Sequence, residues 1–295
     1  MFLEQLSGNL FQGLILGAVY GMATMGLSLI FGVLRVVNVG HGAFMMVGAY
    51  CSLWAFHGLG VAPILALPLA MLVGMGLGLI FYYTVIRRLI KAPELATLLA
   101  TFAFGVILEE TIKLIATSES RGFNWDIGKI DFGFTILLYT KLIAFAGSVL
   151  IALLLYWWFN KTRAGMAMRC VVEDDQGARV CGINVEWEYA LSFSLGLGLT
   201  VASGVLLTMF IPVGIQPYMG GGYTLKAFVI AVLGGLTSPY GAFFGGLVFG
   251  LLENGSYSLF AQIPGLEPFA MTRFFSFVML LVILLFRPTG LLRAR

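Results

Sequence analysis

Charge is scarce in this sequence, and its scarcity excludes an ordinary soluble domain. Of the 295 residues only 11% are charged, whereas 60% are hydrophobic and the mean hydropathy is +0.97. Soluble domains usually carry about 25% charged residues, and a chain this apolar can cover its surface only with lipid. No polar region is long enough for a separate globular domain, so residues 1–295 are expected to form a single transmembrane domain.

The residue patterns of common catalytic and metal sites are also missing. The sequence has no G-x-x-x-x-G-K-[ST] loop and no G-x-S-x-G elbow, and His41 and His57 stand alone rather than in a metal-ligand cluster. Three cysteines, Cys51, Cys170 and Cys181, are expected to stay reduced and structural. The sequence therefore predicts no catalytic residue, no metal site and no cofactor.

Apolar segments between the few charges are what the sequence has in abundance. Each is long enough for a membrane helix of about 20 residues, and none alternates with the period of two that a membrane strand requires. The predicted fold is all-α, a polytopic integral membrane bundle of about eight apolar helices, one or two of them broken or re-entrant. The predicted spans are Leu10–Val33, Gly42–His57, Val61–Ile86, Leu95–Ala116, Ile136–Phe159, Ala190–Ile211, Ala227–Leu252 and Phe269–Phe286.

Lysine and arginine cluster beside these segments, where they act as topology signals rather than as a nucleic-acid surface. The first two clusters are separated by two spans, so both can lie in the cytoplasm. If the third lies there too, region 227–252, which is interrupted at 234–239, must enter and return from the outer side. The clusters are Arg87, Arg88 and Lys91; Lys161, Arg163, Arg169 and Arg179; and Arg287, Arg293 and Arg295.

Charge within the spans is limited to a few residues. Glu109 lies about 22 Å along its helix from Glu94, near the far interface, and its spacing from Lys113 suits a local ion pair. Glu110 and Glu253 are the other clear candidates. A secondary transporter normally carries ionisable groups deep in its spans, so this shortage favours a pathway whose energy comes from another subunit.

The segment 160–188 is the most charged part of the chain. Its acids fit the first turn of a short helix over Glu173–Cys181, where they face the positive end of the helix dipole. Gly182 suits the left-handed residue that follows such a helix. The segment is either a solvated loop helix or a docking helix for a cytoplasmic partner.

Three motifs are informative in combination. They are 26–33 with 37–42; 163–169 with 182–184; and 227–236 with Gly241-Ala242, Gly245-Gly246 and 287–291. Together they resemble the LivH group, the permease subunits of branched-chain amino-acid ABC importers. The likeness spans nearly the whole chain, and the combined spacing is specific to the family, whereas the substrate is not. At 39–40 this chain has Val-Gly where the family usually has Phe-Ala in an Asn-Phe-Ala-His-Gly run.

The resemblance implies a single transmembrane permease domain in the bacterial cytoplasmic (inner) membrane. It implies a second, LivM-like permease, two cytoplasmic ATPase subunits, a periplasmic substrate-binding protein and membrane lipid as partners, and no nucleic acid. It also implies that segment 160–188 is the cytoplasmic coupling loop. The residues carried over to that loop are Arg163, Gly165, Arg169, Glu173, Asp174, Ala178 and Gly182.

Two glycine-containing breaks are candidates for the translocation pathway. Broken helices expose backbone polar groups that are tolerated at membrane depth only beside protein or a watery cavity. The alternative is that Asn38 and Thr237 merely cap helix ends. The candidate pathway residues are Asn38, His41 and Gly42 at the first break, and Thr237, Ser238 and Gly241 at the second.

Two other classes of function stay open on the sequence alone. A self-sufficient channel or secondary transporter for small polar solutes would move substrate without a partner. A membrane-embedded enzyme is disfavoured because no acid–base or nucleophile cluster is visible. The sequence does not distinguish branched-chain amino acids from other amino acids, amides or urea.

Overall fold

The computed structural model describes residues 2–211 and 213–286, and its helical bundle confirms the predicted all-α class. A π-helical turn at Tyr82–Ile86 joins α3 to α4, so both belong to one span that begins at Pro63. The helices are α1 Phe2–Leu34, α2 His41–Leu59, α3 Ala66–Phe81, α4 Arg87–Leu89, α5 Glu94–Ala116, α6 Tyr139–Lys161, α7 Arg163–Glu173, α8 Asp175–Val180, α9 Val185–Leu207, α10 Gly220–Gly234, α11 Pro239–Phe260 and α12 Pro268–Phe286.

Within the described ranges, six helices are individually long and apolar enough to cross a membrane. The seventh predicted segment is a pair, α10 and α11, bent by 112° at the break. This pair runs from Gly220 to Phe260, so it is longer at both ends than the predicted 227–252. The basic cluster and motif after residue 286 lie outside the described residues.

Two small antiparallel pairs of strands interrupt the helical fold, and the sequence analysis did not predict them. Strand β1, Arg121–Gly122, pairs with β4, Val213–Ile215, and β2, Lys129–Asp131, pairs with β3, Ile136–Leu138. The β1–β4 pair holds the predicted polar segment after α5 against the connection between α9 and α10, whereas β2 and β3 form a hairpin within that segment. They therefore form a cover over one end of the bundle.

The centre of the bundle is built from α1 and α9. In their most apolar windows 83% and 89% of the residues are buried, compared with 22% in α5 and in α6. Because α5 and α6 still carry long apolar faces, those faces are the ones that lipid can cover. The helices that carry the functional candidates, α2, α10 and α11, pack directly on this central pair.

Glycine contacts bring these helices to backbone distance, and Gly13, Gly17 and Gly21 lie four residues apart on α1. A Cβ at any of these three positions would overlap backbone atoms of α11 around Phe243, Gly246 and Gly250. Small residues permit such close approach where lipid provides no hydrophobic drive for helices to associate. Helices α1 and α11 therefore behave as one packed unit.

The two ends of the bundle differ in chemistry. At one end Arg87, the first residue of α4, forms a 2.6 Å ion pair with Glu186 at the start of α9, so the first basic cluster and segment 160–188 share this end, as predicted. At the other end the amide of Asn9 donates to Ser258 Oγ, and His57 Nε2 lies 3.0 Å from the Gly122 carbonyl oxygen. We refer to these as the basic end and the strand end.

Candidate functional site

Segment 160–188 forms a compact corner at the basic end. The hydroxyl of Thr162 accepts from the Gly165 N–H at 3.1 Å and so begins α7. The carboxylate of Asp174 accepts from the Gln176 N–H at 3.0 Å and so begins α8. Such caps satisfy N–H groups that a helix start leaves free.

The predicted helix over Glu173–Cys181 is wrong in its start. Glu173 ends α7, and Asp174 is an extended residue between two helices rather than a first-turn acid. The physical reason is that an aspartate side chain bonds a nearby backbone N–H in a non-helical conformation, which favours a cap over a helix interior. The predicted ending is confirmed, because Gly182 has φ +83° immediately after the α8 cap residue.

The corner has an inner face that is packed within this chain. Ala178 lies in a small buried cluster with Val171 and Val185. A Cβ on Gly165 would overlap backbone atoms of Phe159 at the end of α6. Ala178 and Gly165 therefore hold the corner together, and neither offers a side chain to a partner.

The outer face of the corner is exposed and mixed in chemistry. Val180 is 89% exposed, and Met166 is 47% exposed, so both present apolar surface to the outside of the corner. Glu173, Arg163 and Gly182 are exposed beside them. We call this set of exposed residues, which lie on α7, on α8 and in the turn after α8, the docking face. The apolar members were not singled out from the sequence.

A chain of contacts joins the corner to the second break. Arg169 donates to Asn160 Oδ1 at 3.4 Å, and the Asn160 amide donates to the Tyr240 hydroxyl at 3.2 Å. The Tyr240 ring also contacts the rings of Tyr156 and Phe159. Since Tyr240 lies in the first turn of α11, these contacts connect α7 to the bent pair.

The first break lies inside the bundle. Residues 35–40 are non-helical, and α2 begins at His41, which like Asn38 is fully buried. The His41 Nδ1 atom is 3.4 Å from the hydroxyl of Thr200 on α9. Neither the amide atoms of Asn38 nor His41 Nε2 has a hydrogen-bond partner among the described residues. Asn38 therefore does not cap α2, and its orphaned polar atoms mark a site that water or substrate can satisfy.

The start of α10 meets the first break. The N–H of Gly42 donates to Thr224 Oγ1 at 2.8 Å, and Gly42 and Gly220 are in backbone contact. Two helix N-termini, each carrying the positive end of its dipole, therefore adjoin within the bundle. A cavity of about 220 Å³ opens beside them, and its lining includes Val39, Gly40 and Thr224.

The second break lies at the other end of α10. The Ser238 hydroxyl accepts from the Gly241 N–H at 3.1 Å and caps α11, while Thr237 is exposed. Gly241 packs against Gly234 at the bend itself. The structure therefore brings the first-break residues together with α10, but it places Thr237, Ser238 and Gly241 about 20 Å away along that helix.

The predicted pairing of Glu109 with Lys113 is wrong. Lys113 instead pairs with Glu110 at 3.3 Å, and Glu110 also accepts from the Tyr218 hydroxyl at 2.8 Å. Both members of this pair are exposed, and surface pairs of this type contribute little to stability. Glu109 lines the 220 Å³ cavity beside the first break.

An ion pair within the bent helix pair was missed. Lys226 on α10 donates to Glu253 Oε1 on α11 at 2.6 Å and to the Tyr20 hydroxyl on α1 at 3.0 Å. Lys226 lies just before the predicted start of the seventh span, so the sequence analysis counted it as outside. The signal that could have found it is the triplet Gly220–Gly222, because the helix begins there, about two turns before the predicted start at 227.

Breaking this ion pair on one side should destabilise the protein. We expect Lys226→Met to lower the free energy of unfolding by about 3 kcal/mol, because Glu253 would keep a partly buried charge without a cation. The double variant Lys226→Met/Glu253→Gln should recover most of that loss. Thermal unfolding of the detergent-purified chain measures both, and equal losses in the two variants would contradict the prediction.

Across residues 2–211 and 213–286, no three His, Cys, Asp or Glu side chains converge on a common point. The geometry offers a broken-helix junction, an ion pair between two apolar helices and an exposed corner. Broken helices and ionisable groups within membrane spans are features of transport proteins.

Comparison with known proteins gives the same indication. Residues 9–284 match the family described as the permease component of the branched-chain amino acid transport system. The chain is 28% identical to the permease protein BraD of Pseudomonas aeruginosa over 96% of this chain and 94% of that protein. It is 29% identical to the permease protein LivH of Escherichia coli K12, with coverage of 99% and 95%.

A relative of slightly lower identity also matches most of the chain. The chain is 27% identical to the probable branched-chain amino acid transport permease LivH of Methanocaldococcus jannaschii, over 92% of this chain and 87% of that protein. No solved structure matches the chain. The helical bundle and the match over residues 9–284 together place this multi-pass membrane protein in the permease-component family of branched-chain amino acid transport systems.

Proposed function

We propose that this chain is a non-catalytic permease subunit that forms half of the translocation pathway of an ATP-driven importer for branched-chain amino acids. Its partners in the bacterial cytoplasmic membrane would be a second, LivM-like permease, two cytoplasmic ATPase subunits and a periplasmic binding protein. The observation that carries the proposal is the family match over residues 9–284, which includes both the bundle and the corner at 160–188.

The docking face is the proposed contact with an ATPase subunit. It lies at the basic end, which the positive-inside rule assigns to the cytoplasm. Val180 and Met166 supply exposed apolar area, and Glu173 and Arg163 supply exposed charge. Protein–protein interfaces combine apolar and polar surface of this kind.

The contacts from Arg169 through Asn160 to Tyr240 are the proposed transmission route. ATP binding would change the equilibrium between inward- and outward-facing states only if the ATPase contacts the corner differently in the two states. A shift of α7 would then be felt at the α10–α11 bend, because Tyr240 belongs to the first turn of α11. The far end of α10 lies at the first break, where substrate would pass.

A self-sufficient carrier is the second candidate, and one observation favours it. The Lys226–Glu253 pair is an ionisable site within the spans, which is where a secondary transporter holds its coupling ions. Such a carrier would move solute without nucleotide. Whether transport requires ATP therefore distinguishes the two candidates.

Uptake in cells tests the proposal together with the docking face. The chain would be expressed with its neighbouring transport subunits in a bacterium lacking its own leucine importers, and uptake of labelled leucine should be restored. Glu173→Lys should abolish uptake and ATPase co-purification while leaving membrane insertion intact, because Glu173 is exposed and bonds no other group that folding requires.

Charge reversal at Asp174 would also remove the carboxylate that caps α8, so the substitution at this position should remove only the charge. Asp174→Asn removes the charge but keeps the capping oxygen, so a loss of uptake in this variant would reflect docking rather than folding. Normal co-purification and uptake in both Glu173→Lys and Asp174→Asn would rule out the docking role of these two acids.

A further inference from the structure

A second cavity, separate from the first break, lies between the bent helix pair and α12. Its volume is about 490 Å³, within the range of small-molecule sites. Residues of the connection between α9 and α10, including Gln216, form one wall. Because that connection carries β4 at the strand end, the cavity faces the side opposite the docking face.

Charges of both signs line this cavity. Lys226, Glu253 and Arg273 all contribute to its surface, and Lys226 is held between the rings of Tyr20 and Tyr223, 4.8 and 5.7 Å from their centres. Membrane proteins rarely place ionisable groups within their spans, and where they do the groups mark substrate or ion pathways. The cavity is therefore a functional candidate by its charge alone.

The ion pair between Lys226 and Glu253 leaves part of the hydrogen-bonding capacity of the Glu253 carboxylate unused among the described residues. Glu253 uses Oε1 to accept from Lys226, but Oε2 is buried and has no hydrogen-bond partner among the described residues. Arg273 also lacks an ion-pair partner within residues 2–211 and 213–286. One carboxylate oxygen and one guanidinium thus remain available on the same cavity wall. An unsatisfied buried acceptor is costly, so a bound donor would stabilise it.

We propose that this cavity binds the charged head of a free α-amino acid. The substrate ammonium would donate to Glu253 Oε2, and its carboxylate would accept from Arg273 and Lys226. Val229, Phe249 and Phe277 complete the wall and would contact an aliphatic side chain. The inference rests on the proposed import function and adds to it a binding site on the permease itself.

Exchanging the charges of Lys226 and Glu253 distinguishes a substrate-binding site from an ion pair with a purely structural role, which we call a strut. The double variant Lys226→Glu/Glu253→Lys restores an ion pair between α10 and α11, so a strut would be rescued. A site for a zwitterion would not be rescued, because the lone carboxylate oxygen would be gone from α11. Substrate protection, rather than stability, is therefore the informative measurement.

Cysteine labelling measures that protection without altering the ion pair. Gly222 lines the cavity, and a Cβ added there meets no atom within 4 Å, so Gly222→Cys should be tolerated. The matched control is Gly58→Cys, which is also open but lines no part of this cavity. Both would be made in the assembled transporter in membrane vesicles, with Cys51, Cys170 and Cys181 replaced by serine.

L-leucine at saturation should slow the modification of Gly222→Cys by a polar thiol reagent about tenfold, since an occupied site excludes the reagent. Isoamylamine, which lacks the carboxylate, and 4-methylpentanoate, which lacks the ammonium, should protect far less. Gly58→Cys should react at the same rate with and without L-leucine. In the charge-exchanged background the protection of Gly222→Cys should disappear.

Two failures can be told apart. Unchanged labelling of Gly222→Cys in a transporter that still imports leucine would overturn this inference and leave the proposed function standing. Protection that survives the charge exchange would also overturn it, because the ion pair would then be a strut. A parent transporter that imports no leucine would overturn the proposed function and this inference with it.

Discussion

Gly42→Ala should abolish transport and prevent stable accumulation of the chain in the membrane. The added Cβ would overlap the backbone carbonyl of Gly220 and lie 2.6 Å from Thr224 Oγ1. Backbone atoms cannot rotate away as a flexible side chain can, so α2 and α10 would have to separate at their N-termini. Overpacking of this kind typically costs about 1–3 kcal/mol and sometimes more.

Gly222→Ala is the matched control for this change. It adds the same methyl group near the start of α10, but no atom lies within 4 Å of the new Cβ. Replacing glycine by alanine in a helix is itself favourable by up to about 1 kcal/mol, so helix propensity alone predicts a gain at both positions. Membrane abundance and thermal unfolding of the two variants give the difference. Equal behaviour would show that the contact of α2 with α10 is not essential.

Val180→Asp should reduce uptake severely while leaving the chain folded. Val180 is 89% exposed, so the change removes no internal packing. If it lies at the centre of the ATPase interface, a loss of about 2 kcal/mol or more is expected, which corresponds to docking weakened roughly 30-fold. Binding of purified ATPase subunits to vesicles that contain the variant gives the affinity directly.

Leu59→Asp is the matched control for the docking face. Leu59 is also an exposed apolar residue, 71% exposed, but it ends α2 at the strand end, opposite the corner. It should leave ATPase binding unchanged. If Val180→Asp and Leu59→Asp bind the ATPase equally well, the docking face defined by α7 and α8 is wrong.

The membrane spans could be predicted from the sequence because lipid imposes a simple requirement. Charges are sparse in the spans, so Arg35 and Arg87 marked limits close to the observed ends of the first and third spans at Leu34 and Leu89. The start of α1 was less well predicted, because the helix begins at Phe2 rather than at Leu10 and includes Glu4. The left-handed Gly182 could be predicted for a similarly local reason, since it closes α8 through its own backbone geometry. Both are properties of a short window of sequence.

Features that depend on distant residues could not be predicted. Nothing near Arg121 indicates that it will pair with Ile215, and nothing near Gly42 indicates that Gly220 will meet it. Lys226 escaped notice for the same reason, because its partner Glu253 lies on the other arm of the bent pair. Asp174 was assigned to a helix because acids favour both a first turn and a cap, and only the neighbouring α7 decides between them.

The same distinction between local features and features set by distant residues applies to the candidate site. The breaks at 35–40 and 235–238 were visible from glycine and polar residues, but their arrangement at opposite ends of α10 depends on the 112° bend. The corner at 160–188 was visible from charge, but the apolar exposure of Val180 on it depends on packing that hides Ala178 instead. The route through Asn160 and Tyr240 needed the structure.

The most direct test of the account is the energy requirement of transport. The chain would be reconstituted in liposomes with the proposed LivM-like partner and leucine-loaded binding protein, with and without the two proposed ATPase subunits. Uphill leucine uptake should require both the ATPases and ATP hydrolysis, and the permeases alone should give none. Concentrative uptake by the permease without any nucleotide-hydrolysing subunit would contradict the account.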